Sequence, residues 1–109
     1  MKRGEVWTVA AGGDFAGKPR PALIIQNDRF ESTSTVAVCA CTSDPTGAAL
    51  MRPHIQPSVE NGLKAPTRLM VDKITIVPRP RLGYRVGALS AEDLARVDEA
   101  LLIFLGLAD

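Results

Sequence analysis

"LSAEDLARVDEALLIFLGL", residues 89–107, reads as one capped amphipathic helix that closes the chain. The Ser90 hydroxyl can accept from the free amides of a first turn, and Glu92 and Asp93 set negative charge against the positive end of the helix dipole. Leu89 and Leu94 stand at the two positions of a hydrophobic staple. Leu94, Val97, Leu101 and Phe104 recur at helical spacing and form one apolar stripe. Gly106 fits the position after the C-cap, where a left-handed residue stops a helix. Leu102, Ile103 and Leu105 fall outside the stripe, so the last turn is apolar almost all round. Such an end either enters the core deeply or meets another subunit.

Upstream of this helix the pattern is β. "EVWTVA" (5–10), "ALIIQ" (22–26) and "TVAVCACT" (35–42) read as strands, and the third is apolar on both faces, as a doubly covered central strand would be. "RLMVDKITIV" (68–77) is the last long strand signal, and "PRPRLGYRVG" (78–87) carries the chain on to the helix. "AGGDFAGKP" (11–19) is a glycine-rich loop, "NDRFESTS" (27–34) a turn or loop, and "SDPTG" (43–47) a turn. Pro53, Pro57, Gly62 and Pro66 break residues 48–66 into loops and short edge strands. Short strands with many turn residues, then one helix, predict a mainly β fold with a C-terminal α-helix. The form expected is a small barrel or strongly bent sheet, as a single domain over 1–109.

Bulk properties narrow the function. With 109 residues the chain makes one domain, and at 46% hydrophobic but only 5% aromatic its core must be aliphatic. Thirteen basic against twelve acidic side chains leave a net charge of +1, which excludes a strongly basic nucleic-acid wrapper but leaves room for a local basic groove. No apolar run approaches the roughly 18 residues of a membrane span, and no apolar segment follows "MKRGEVW" as in a signal peptide, so a cytoplasmic protein with no membrane partner is expected. Cys39 and Cys41 are two apart on a strand, about 6.6 Å between Cα atoms, at the edge of disulfide reach; both are expected reduced and buried. His54, in a proline-rich loop, is the one histidine, so neither a two-histidine acid–base pair nor a metal site is expected.

Phosphate loops and G-x-S-x-G elbows are missing too, and Asp14, Asp28, Asp44 and Asp72 stand singly, without the close spacing of a hard-cation site. An enzyme built from this inventory works without metal or cofactor, using arginine, threonine or serine and one carboxylate. Cleavage of RNA by its own 2′-OH fits, because the nucleophile belongs to the substrate and the protein need only orient the phosphate and stabilise charge. Arginine suits that task through its planar fork. In "GKPRPALIIQND" (17–28), Pro19 and Pro21 narrow the backbone freedom of Arg20 at the mouth of a strand.

"RGEVW" (3–7), "GKPRPALIIQND" (17–28), "VCACTSD" (38–44), "RLMVDKI" (68–74) and the helix at 89–107 occur in an order and spacing that resemble the MazF/PemK-type toxins of bacterial toxin–antitoxin pairs. The resemblance covers nearly the whole length. It implies an SH3-like, CcdB/MazF-type β-barrel with a C-terminal helix, a homodimer, and a sequence-specific, metal-independent endoribonuclease acting on single-stranded RNA. It further implies a cognate antitoxin with a disordered acidic C-terminal segment, and cleavage to a 2′,3′-cyclic phosphate and a 5′-OH.

The resemblance makes Arg20 and Thr42 the catalytic pair, with Ser43 beside Thr42, and Asp72 and Glu5 as candidates to hold or polarise the site. Lys18, Asp14 in a covering loop, Arg68, Lys73, Arg79 and Arg81 become candidate RNA contacts, with Arg85 in the same basic segment as the last two. Some family members carry a basic residue where Met70 stands here, and many carry Gln where Lys73 stands. Taken singly, Arg20 reads as a solvated strand residue, Thr42 as a β-former before a turn, and Trp7 as a core or interface aromatic. The rival from another class is a gyrase-inhibiting toxin of related fold. Those act through a tryptophan near the C-terminus, whereas Trp7 is the only tryptophan here. A non-catalytic SH3-like binding module is the third reading.

Overall fold

The computed structural model describes residues 1–10, 18–47 and 50–109. Its strands are β1 (Glu5–Val9), β2 (Arg20–Ile24), β3 (Thr35–Thr42), β4 (His54–Ile55), β5 (Thr67–Pro78) and β6 (Leu82–Ala88), followed by the helix α1 (Ala91–Phe104). They form one sheet in the order β4-β5-β3-β2-β1-β6, antiparallel at every step.

Side-chain alternation sends two apolar sets to opposite faces. Val6, Leu23, Cys39, Ile55, Leu69 and Val71 meet Leu89, Val97, Ala100 and Leu101 beneath the helix. Ala22, Ile24, Val36, Val38, Val77 and Leu82 pack on the other face with Trp7 and Val9. Strand β3 feeds both, as its unbroken apolar run predicts. Each fully buried Leu, Ile or Val contributes about 1.5–3 kcal/mol.

The sheet curls because β5 bends. Its register against β3 passes from Cys39↔Ile74 to Cys41↔Leu69, leaving residues 70–73 as a bulge. From the bulge to its start, β5 turns to the residues around β4, with Val71 donating to the Met51 carbonyl and Leu69 to that of Pro53, both at 3.0 Å. His54 therefore sits in a strand, opposite Arg68, and not in the loop its proline neighbours suggested.

Strand β6 is the element the sequence pattern misses. Its glycines, Gly83 and Gly87, interrupt the alternation because two other segments press against the strand there. A Cβ at residue 83 would lie 2.4 Å from Thr8 Oγ1, and one at residue 87 would lie 2.4 Å from the Asn61 carbonyl carbon. The segment before β5 thus covers the edge of β6, with the Ala88 amide donating to the Glu60 carbonyl at 2.9 Å. Asn61, 2% exposed, holds that segment in shape: its Oδ1 accepts from the Ser58 and Leu63 amides, and its Nδ2 donates to the Gln56 carbonyl. The result is a half-barrel with α1 across one face.

The helix follows its signals closely. Ser90 Oγ accepts from the Asp93 amide at 3.1 Å, Leu89 is buried, Leu94 packs on the core, and Gly106 takes φ +76°. Phe104 is the exception: it is 44% exposed, and Ala100 takes the inward place. Leu102, Leu105 and Leu107 are exposed as well, so the apolar helix end does not enter this chain's own core.

Candidate active site

Strand β2 begins, and β3 ends, at the same edge of the half-barrel. Their register runs Ala22↔Ala40, Leu23↔Cys39, Ile24↔Val38. Continued outward by two residues, it sets Arg20 opposite Thr42. Both line one open cavity of about 360 Å³, together with Pro19, Pro21, Ser43, Thr8, Lys64, Thr67, Tyr84 and Val86. Arg20 also borders a smaller apolar cavity with Val9, Ala22, Val38, Ala40 and Val77, which puts its stem at the rim between the two. Arg20 is exposed, and its guanidinium has no hydrogen-bond partner among the described residues.

The Thr42 hydroxyl oxygen is held in place. Its oxygen accepts from the Asp44 amide at 3.1 Å, and Asp44 in turn accepts from the Thr46 amide at 2.9 Å. That turn leaves the hydroxyl proton of Thr42 free to donate to a bound anion. The Thr46 amide, ahead of all other influences, keeps the Asp44 carboxyl below its ordinary range. The cavity is thus lined by an arginine, a threonine with a free hydroxyl proton and a lysine, Lys64. That set is suited to a phosphate and its developing charge.

The two candidate carboxylates lie outside this cavity. Asp72, in the β5 bulge, accepts from Arg52 Nε at 3.2 Å and Nη2 at 3.3 Å, and the Arg52 hydrogen bond lowers its pKa. Glu5 accepts from Arg85 Nε at 2.8 Å, Trp7 Nε1 at 3.1 Å and the Lys2 amide at 2.7 Å. Burial alone would raise its pKa, but the Lys2 amide, Arg85 and Trp7 outweigh burial and hold it at about 2, against 4.5 for a free carboxyl. A depressed folded-state pKa stabilises the fold above the free value and loses that contribution as pH falls. Melts of the wild type and Glu5→Gln should therefore differ most at neutral pH and converge between about pH 4.5 and 2. A constant gap across that window would show that Glu5 does not carry the acid sensitivity.

The remaining basic candidates scatter. Lys18 is exposed immediately before Pro19, beside the cavity. Arg68 is the register partner of Thr42, but its guanidinium donates to the Arg52 carbonyl at 3.3 Å and lines a separate groove with His54, Arg96 and Glu99. Lys73 is exposed on the β5 bulge. Arg79 is drawn away: it donates to the carbonyls of Thr33 and Phe30, beside the start of β3. Thr42 is seven residues further along that strand, about 23 Å at the usual rise. Arg81 is exposed where β6 begins, and Arg85 is engaged by Glu5. Asp14 lies outside the described residues. Cys39 and Cys41 are free thiols whose pKa values burial pushes up to about 12.

Thr8, Lys64, Thr67 and Tyr84 line the cavity without any signal in the sequence, since barrel closure alone brings them there. Among the described residues no helix is long and apolar enough to cross a membrane.

Comparison with known proteins bears on the family and the fold. Residues 2–105 match the family model described as "PemK-like, MazF-like toxin of type II toxin-antitoxin system". The chain is 50% identical over 108 residues to a protein named "Probable endoribonuclease MazF" from Mycolicibacterium smegmatis, covering 99% of each. It is 29% identical over 113 residues to "Endoribonuclease EndoA" of Bacillus subtilis, covering 100% of this chain and 97% of that one. Among solved structures, a mycobacterial "Endoribonuclease in complex with its cognate antitoxin" superposes with a TM-score of 0.81 at 23% identity, covering 100% of this chain and 98% of the other.

Proposed function

The chain belongs to the PemK-like, MazF-like toxin family of type II toxin–antitoxin systems, and from that premise we propose that it is a sequence-specific endoribonuclease that cuts single-stranded RNA without a metal. The observation that carries the reading is the shared cavity of Arg20 and Thr42. In the proposed step the substrate 2′-oxygen attacks the adjacent phosphorus, a 2′-O–P bond forms and the P–O5′ bond breaks. The products are a 2′,3′-cyclic phosphate and a 5′-OH, with the 2′ proton lost and one gained by the leaving oxygen. Arg20 stabilises the charge that grows on the phosphate oxygens, and it stays a cation throughout because the guanidinium does not deprotonate in proteins. Thr42 donates its free hydroxyl proton to a non-bridging oxygen. Lys18 and Lys64 extend the cationic path for the strand.

Two partners follow from the same reading. The exposed apolar end of α1 suits a second copy of the chain, and a homodimer joins two such cavities in one groove. An acidic, partly disordered antitoxin segment would compete for that basic groove by folding onto it. The gyrase-poison alternative fits less well, since Trp7 packs on the outer face of the sheet with its indole N–H held by Glu5.

Incubating the purified protein with several long RNAs in EDTA tests the proposal. Discrete cuts ending in cyclic phosphate are expected, and intact RNA in every case overturns it. Within this reading, Thr42→Val should lower the single-turnover rate about 100-fold, the usual cost of one donor to a developing oxyanion. Thr42→Ser should keep most of the activity, because it keeps the hydroxyl and the bond from Asp44. Equal losses in the two variants would remove the hydroxyl from the mechanism.

A further inference from the structure

Tyr84 is the only tyrosine of the chain, and 67% of it is exposed. It does not stand on an open surface: it lines the cavity that holds Arg20 and Thr42. Its backbone is firmly seated. The Tyr84 amide donates to Thr8 Oγ1 at 3.0 Å, and that threonine is only 6% exposed. Gly83 brings the strand so close that any side chain there would strike the same hydroxyl. A buried hydroxyl and a glycine contact thus fix the backbone beneath a side chain that is itself largely exposed. Val86, two residues on, and Leu63 add apolar surface to the same cavity, and Lys64 is among its lining residues.

We propose that Tyr84 is a stacking platform for a nucleobase next to the scissile phosphate. This rests on the RNA-cleaving reading and extends it to how the strand is held. A stacked RNA strand keeps the 2′-oxygen out of line with the P–O5′ bond, so in-line attack needs the flanking bases pulled apart. Splaying a base costs its stacking, and an exposed aromatic ring at the cavity wall replaces that stacking in the reactive geometry. Every base has a π-face, so the platform tightens binding without choosing the sequence. Lys64 is placed to take the phosphate of the splayed nucleotide.

The test uses a single-stranded 2′-O-methyl oligonucleotide, which has no 2′-OH with which to cut itself. Because Tyr84 is the only tyrosine, its ring resonances are assignable without ambiguity, and they should move upfield as the oligonucleotide is added. Tyr84→Ala should weaken binding about 5- to 100-fold, to a similar extent for oligonucleotides of different sequence, while Tyr84→Phe stays within about 3-fold of wild type. Both variants should melt like the wild type, since the ring is largely exposed. Unmoved ring signals at saturation, wild-type affinity in Tyr84→Ala, or no binding at all would each overturn the proposal. Cleavage of ordinary RNA by the wild type separates the two readings. Cutting with an unmoved ring sinks the platform alone, and ring-dependent binding without cutting sinks the nuclease and leaves the base site standing.

Discussion

Under the proposed function, Arg20→Ala is expected to stay folded while its single-turnover rate of RNA cleavage falls by at least about 100- to 1,000-fold. The size follows from the role. A guanidinium beside a phosphate supplies charge and paired N–H donors exactly where the transition state gains negative charge, and nothing else in the cavity has that geometry. Thr42 gives one neutral donor, and Lys64 a mobile point charge. Stability should barely change, because Arg20 is exposed and its side chain makes no hydrogen bond among the described residues; substitutions of this kind stay within about 0.5 kcal/mol. Arg20→Lys separates charge from shape: it keeps the cation and loses the fork, so its rate should lie between those of the wild type and Arg20→Ala. Cleavage rates and thermal melts on the three proteins decide the matter. Wild-type turnover in Arg20→Ala removes Arg20 from the site, and a collapsed melt assigns it to the fold.

The parts of this molecule that were legible in sequence are those governed by near neighbours. Helix α1 announces itself because Ser90, Leu89, Leu94 and Gly106 act within a turn of where they stand. Strand β3 does so because eight residues without a charge must be covered on both faces. The Arg20–Thr42 pairing was legible only through the resemblance, since each residue alone has a plainer explanation. What stayed hidden depends on distant chain. Glu5 and Asp72 look like free acids until Arg85 and Arg52 reach them from 80 and 20 residues away. Arg79 looks like an RNA contact until the carbonyls of Phe30 and Thr33 capture it. Phe104 keeps the helical period yet faces solvent, because the period states which residues share a face and not where the sheet beneath that face ends.

Strand β6 and the Lys64–Tyr84 wall share one cause, the closure of the half-barrel by the segment held at Asn61, and Gly87→Ala is the change that tests it. The added methyl would stand 2.4 Å from both the Asn61 carbonyl carbon and the Glu60 oxygen, which are backbone atoms and have no rotamer to turn. Neither can retreat freely. Glu60 accepts from the Ala88 amide one residue away, and Asn61 is locked by its bonds to Ser58, Gln56 and Leu63. The strand and the segment must therefore part. A loss of about 2–4 kcal/mol is expected, which lowers the melting temperature by roughly 10–25 °C in a domain of this size. Gly106→Ala is the matched control. It also places a methyl on glycine, at φ +76°, but nothing lies within 4 Å, so only the left-handed backbone cost of about 1 kcal/mol applies. If the two variants melt together, closure at Gly87 contributes nothing special. If Gly87→Ala falls far below Gly106→Ala, its activity at low temperature should fall with it, because Gly62, Lys64, Tyr84 and Val86 form the cavity wall only while that edge is shut.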